Sequence, residues 1–204
     1  MRKKFLKGGV LLYKSGRQRY EKEGDIIYYP SRVKIEADDK VFEVVLRKAL
    51  MCDVKSLYGL FYEYSKAGEM LPRSMSDIYE HLRDFYIVEI EKENGDETIS
   101  NPSEIIGACA LTMVWENLAE IRSLAVKKPY TRKLIGTKLI KKCIEEAKFF
   151  KITSIFALTY KPQFFQKSGF TIIDKSELPH KIWNDCINCV KFPDCFETAV
   201  MLKL

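Results

Sequence analysis

The stretch Leu118–Lys148, LAEIRSLAVKKPYTRKLIGTKLIKKCIEEAK, decides the fold. Leu118 to Val126 reads as a buried strand, the residues after it as a short turn, and Ile135 to Phe150 as an amphipathic helix. Leu139, Ile140, Cys143, Ile144 and Ala147 recur at helical spacing and form an inner face, while Lys138, Lys141, Lys142, Glu145 and Lys148 point outward. A strand that turns directly into a helix aims free backbone N–H groups and the positive end of the helix dipole at the turn. Such a corner holds anions, phosphate above all. The turn carries a single glycine, Gly136.

Working outward, VFEVVLR (Val41–Arg47) reads as a strand. Asp53 then stands where it can cap a helix whose face is Val54, Leu57, Leu60, Phe61 and Tyr64, with Gly68 as its stop. Ser74 or Ser76 caps a second helix. Tyr86–Glu91 is a strand followed by an acidic turn at Asn94-Gly95, and EIIGACALTMVW and LAEIRSLAV are strands joined tightly at Glu116-Asn117. Beyond the central helix come the strand ITSIFALTY, a short helix opening on Pro162 and closing at Gly169, and the strands TIID and ETAVMLKL. The order predicts an α/β fold: a mixed, mostly antiparallel sheet of six or seven strands with one parallel crossover and helices on both faces. Residues 41–204 form that domain. Residues 1–40 read as an N-terminal arm with one or two short strands on either side of Pro30.

Hydrophobic residues make up 47% of the 204, enough for a full core. Lys and Arg (34) exceed Asp and Glu (28) by six, a modest excess that suits a small anionic ligand and is weak evidence for nucleic acid, which is not expected as a partner. The apolar run Val10–Tyr13 is too short for a signal core, and no run approaches a membrane span of about 20 residues. The expectation is a cytoplasmic protein whose six cysteines are reduced, with Cys52, Cys109 and Cys143 in the core. HKIWNDCINCVKFPDC brings His180, Cys186, Cys189 and Cys195 together in sequence. They are candidate zinc ligands, with ordinary reduced thiols as the alternative.

Leu118–Phe170 resembles the GCN5-related N-acetyltransferases, through the strand–turn–helix above and SIFALTYKPQFFQKSGF after it, and the likeness spans roughly Val41 to Leu204. LPRS (71–74), WENLAEIRSLAV (115–126), LTYKPQFFQKSGF (158–170) and LPHKIWNDCINCVKFPDC (178–195), in that order, are similar to the short, single-domain N-acetylglutamate synthases. The resemblance implies acetyl-CoA as acyl donor and the α-amine of an amino acid, L-glutamate, as acceptor, in the first step of arginine biosynthesis. Another small amine or a protein amine stays open as acceptor, as does a non-catalytic acyl-CoA-binding protein. A homodimer is also open.

The resemblance places pantetheine on the backbone of Leu124, Ala125 and Val126, and pyrophosphate on Arg132, Lys133, Leu134, Ile135, Gly136 and Thr137. Family members carry glycine where Arg132 and Leu134 stand here. Because glycine permits positive φ and close approach, the expectation is a weakened but surviving phosphate site, with the Arg132 and Lys133 charges compensating in part. Glu120 is the candidate general base, directly or through water, or else an ordinary strand glutamate. The tyrosine that many members use as general acid is Phe165 here, which leaves Tyr160 as the candidate proton donor or a structural phenol. Arg73 and Arg122 have the paired donors that two carboxylates call for. Arg122 follows Glu120 at period two and so shares its face; a structural ion pair is the alternative.

Overall fold

The computed structural model describes residues 10–12, 18–20, 30–37, 40–90, 104–179, 187, 189, 191 and 194–204. Beside a small ladder of β1 (Val10–Leu12) with β2 (Gln18–Tyr20), an open mixed sheet contains eight strands. That is one more than the upper sequence expectation. The extra strand is β3 (Ser31–Ala37), which pairs antiparallel with β4 (Lys40–Lys48) from Ser31↔Leu46 to Ala37↔Lys40. The chain forms two compact units, Met1–Ala110 with Ser123–Glu146, and Leu111–Arg122 with Ala147–Leu204.

In the first unit β4 pairs antiparallel with β5 (Phe85–Ile90), and β5 with β6 (Glu104–Trp115), with a register shift at Val88/Glu89. Phe85, Ile87, Ile105, Ala108 and Ala110 pack against Val54, Leu57, Leu60 and Phe61 of α1 (Val54–Lys66) and Ile78 of α2 (Met75–Glu80). The intervening β6 residues face α3 (Ile135–Phe149): a Cβ on Gly107 would lie 2.9 Å from the Ile135 side chain and 3.4 Å from Leu139. Only glycine lets the start of α3 sit this close to β6. Cys109 Sγ stands 3.7 Å from Cys143 Sγ on the same face, both fully buried. That contact, together with burial, holds the Cys109 thiol well above its ordinary range, so it stays a protonated core group.

In the second unit the first part of β7 (Leu118–Val126), as far as Arg122, pairs parallel with β8 (Ser154–Thr159), and β10 (Thr198–Lys203) runs antiparallel between β8 and β9 (Thr171–Ile173). Leu118, Phe156, Leu178 and Ala199 form its core. The short α4 (Pro162–Gln166) opens on its proline, and Gly169 at φ +92° ends the turn after it. Phe165 is buried edge-on against Phe170, with centroids 5.3 Å apart.

Three local expectations are corrected. Asp53 occupies the cap position of α1, but its carboxylate is not the cap. It takes a bidentate bond from Arg47 at 2.6 and 3.1 Å and accepts from the Leu50 N–H. Lys142 is buried rather than outward, its ammonium 3.2 Å from Glu145, since its stem lies along the helix flank. Cys52 is exposed, because it lies in the short turn before α1 and not on a core face. The Ser74 cap holds: its side chain accepts from the Asp77 N–H at 3.0 Å. The acidic turn at Asn94-Gly95 lies outside the described residues.

Candidate functional site

β7 has two different halves. Its parallel ladder with β8 covers three pairs, Leu118↔Ser154 to Glu120↔Phe156, and ends there. Ser123 then takes φ +52°, a left-handed residue inside a strand, and the remaining residues follow a kinked path. Beyond the kink, the Lys127 N–H donates to Ile106 O at 2.8 Å. Strand alternation therefore turns the peptide groups of Val126 and Leu124 away from β6. This backbone edge, which holds the peptide groups of Leu124 and Val126 but not those of Ala125, is what a chain of ligand amides can pair with.

The Val126 carbonyl already accepts from the Tyr64 hydroxyl of α1. The sequence pattern gave Tyr64 only a place on the helix face. A carbonyl has a second lone pair, so the contact fixes the strand end without using up the acceptor.

After β7 a short 3₁₀ turn, Lys128–Tyr130, is closed by Thr131, whose N–H and hydroxyl both reach Lys128 O, at 3.2 and 2.9 Å. Arg132 takes φ +63° and Leu134 φ +60°. These are the two positions where glycine was expected, and the backbone adopts the glycine conformation without glycine. Two left-handed residues around Lys133 give the alternating arrangement in which successive N–H groups converge on an anion. Lys138 N–H then bonds to Leu134 O at 2.9 Å and α3 begins, leaving the N–H groups of Ile135, Gly136 and Thr137 at the helix start without intrahelical acceptors. Arg132 and Leu134 are exposed, Leu134 to 66%.

Glu120 is buried, 8% exposed, and Arg122 half-buried. Arg122 Nε lies 3.3 Å from Glu120 Oε2, so the period-two reading holds before the Ser123 kink. Arg73 is not a solvated charge. Its Nη1 is 2.5 Å from Asp77 Oδ2 and its guanidinium lies 5.7 Å from the Phe85 ring centroid. Part of its fork is thus taken up by Asp77 of α2. Tyr160, just past β8, accepts from Lys191 Nζ at 2.8 Å. Lys191 was not among the sequence candidates. Phe165 is core, as its side chain requires, and carries no proton to give.

Of the four candidate zinc ligands, His180 and Cys186 lie outside the described residues. Cys189 Sγ accepts from the Lys191 N–H at 3.5 Å, and Cys195 Sγ lies 3.7 Å from Glu197. Among the described residues no group of three or more His, Cys, Asp or Glu side chains is arranged to hold a metal. Nor is any described helix long and apolar enough to cross a membrane.

An uncharacterised N-acetyltransferase of Chlorobaculum tepidum is 33% identical over 162 residues, 79% of this chain and 97% of its own length. An amino-acid acetyltransferase of Mycobacterium tuberculosis is 27% identical over 142 residues, 69% of this chain and 76% of its own length. The structure of N-acetylglutamate synthase from Neisseria gonorrhoeae, complexed with coenzyme A and N-acetyl-glutamate, shares the fold. Its TM-score is 0.67 at 24% identity, over 79% of this chain and 35% of its own. Residues 53–170 match the acetyltransferase (GNAT) family, more than half of the sequence, and the chain accordingly belongs to that family and is an N-acetyltransferase.

Proposed function

We infer that the protein transfers an acetyl group from acetyl-CoA to the α-amine of an amino acid, L-glutamate, the first step of arginine biosynthesis. The observation that carries this reading is β7 itself. One strand bears a buried carboxylate (Glu120), an arginine paired to it (Arg122) and, past the kink, an outward-turned backbone edge (Leu124–Val126) leading into the left-handed turn. The Mycobacterium relative, an amino-acid acetyltransferase, and the Neisseria fold neighbour, solved with coenzyme A and N-acetyl-glutamate, support the choice of acceptor.

The residues fit the acyl donor. Leu124 and Val126 would pair with its pantetheine amides. Arg132–Thr137 would hold its pyrophosphate on converging N–H groups, and Arg132 and Lys133 would add charge. Bound there, acetyl-CoA would supply an activated thioester. Glu120 takes the proton of the attacking amine, Arg122 and Arg73 hold the acceptor's carboxylates, and Tyr160 gives a proton to the departing sulfur. The N-terminal residues 1–40 remain an arm in this proposal, and the protein works in the cytoplasm.

The test is release of free thiol from acetyl-CoA, measured with a panel of amino acids, polyamines and peptides. The reading predicts that glutamate gives the highest kcat/KM. Release with a polyamine or peptide but with no amino acid would overturn the acceptor. Coenzyme A binding without release for any amine would leave a binding protein.

A further inference from the structure

We propose that Lys191 is a positioning residue for the acid step: its ammonium holds Tyr160 Oη and stabilises the phenolate left when Tyr160 protonates the departing thiolate. The inference rests on the reading of Tyr160 as the acid.

The fold explains why residues 31 apart in sequence meet. β10 pairs antiparallel with β8 in the register Thr198↔Thr159. The chain that enters β10 therefore passes the end that β8 leaves, where Tyr160 stands. Lys175 Nζ helps hold this approach by donating to Cys195 O at 3.2 Å. From there Lys191 Nζ reaches Tyr160 Oη at 2.8 Å and stands 4.7 Å from the ring centroid. The direction of the bond matters. An ammonium has donors only, so the phenol oxygen accepts and its own O–H remains available for a second partner.

The groups facing Lys191 are Tyr160, first by its hydrogen bond, then Glu197 and Cys195. Together they hold the ammonium above its ordinary range, so Lys191 is charged wherever the enzyme works. The step balances as follows. The amine nitrogen forms the C–N bond and loses a proton to Glu120, the C–S bond breaks with its electron pair on sulfur, and the Tyr160 proton moves to that sulfur. This leaves a phenolate beside the Lys191 ammonium and a protonated Glu120. Proton exchange with water resets both.

Three variants test the idea. Lys191→Met should lower kcat by roughly 10- to 150-fold, as expected for loss of a charge-assisted bond, while the coenzyme A Kd from calorimetry stays within about twofold of wild type. Lys191→Arg should restore most of the loss, because it returns a permanent cation. Independently of activity, ¹³C-lysine NMR of the protein alone should show Lys191 titrating at lower pH in Tyr160→Phe than in wild type. Full kcat in Lys191→Met, failure of arginine to restore it, or an unmoved Lys191 titration overturns the proposal. Loss of coenzyme A binding together with kcat does the same, since it would make the contact structural. Should Tyr160→Phe itself keep full kcat, the acid assignment falls. Should Tyr160→Phe lose kcat and Lys191→Met keep it, only the role of Lys191 falls.

Discussion

Arg122 Nε stands 3.3 Å from Glu120 Oε2, an ion pair between residues two apart on the strand that also carries the outward backbone edge. Under the proposed roles, a carboxylate of the acceptor would compete with Glu120 for the Arg122 guanidinium, linking acceptor binding to release of the base. The two residues therefore have distinct kinetic signatures.

Glu120→Gln keeps size and hydrogen bonding but cannot take a proton. Its kcat should fall by about 10²- to 10⁴-fold. Coenzyme A affinity should hold, because that surface is backbone. Activity should recover in part at high pH, where more of the amine arrives neutral. Steady-state rates from pH 6 to 10, with circular dichroism to verify folding, check this; near-normal kcat at neutral pH would place the base elsewhere.

Arg122→Ala should raise the KM for glutamate by roughly 10- to 150-fold and leave the coenzyme A Kd near wild type. Its coupling to Glu120 should also be visible. In a double-mutant cycle, Glu120→Gln should change the glutamate KM less in the Arg122→Ala background than in wild type. An unchanged glutamate KM in the single variant would make Arg122 a structural partner of Glu120 alone.

Leu134 has a left-handed backbone and a side chain 66% exposed, so it bears strain without burying much surface. Leu134→Gly should stabilise the protein by about 0.5–1 kcal/mol, as relief of an unfavourable φ outweighs the added freedom of the unfolded chain. Leu134→Val, β-branched at the same φ, should destabilise by on the order of 1 kcal/mol. Urea unfolding of the three proteins measures both signs. Equal midpoints would mean that the turn relaxes around its side chain.

Lys48 and Glu146 form a buried pair at 2.7 Å, with the Tyr86 ring 4.0 Å from the ammonium. Burial pushes the Glu146 carboxyl above its ordinary value despite the opposing pull of Lys48. The sign follows from linkage. A folded-state value raised above the unfolded one means that the native protein binds this proton more tightly. The contribution to stability is then full below the unfolded value and is lost as pH rises through the folded one. Glu146→Gln removes that dependence, so its destabilisation should be larger at pH 5 than at pH 7.5. Urea unfolding at the two pH values decides; a larger effect at pH 7.5 would show that the ion pair outweighs desolvation.

The sequence by itself determined the succession of elements. Period-two alternation put Glu120 and Arg122 on one face, helical spacing drew α1 and α3, and Ser74, Pro162, Gly68 and Gly169 marked ends that local hydrogen bonding and φ enforce. These are short-range effects, and a local pattern contains them. Tertiary structure alone decided the rest. Ser123, Arg132 and Leu134 take left-handed backbone that their residue types disfavour, Arg132 and Leu134 between the closed Lys128–Thr131 turn and the seat of Ile135 over Gly107. Asp53 is drawn off its helix end by Arg47, because a buried guanidinium needs carboxylates more than a helix start needs a cap. The bonds of Tyr64 to Val126 and of Lys191 to Tyr160 join residues 62 and 31 positions apart. No periodicity encodes such partners, since they come together only when the strands that carry or flank them pair in register.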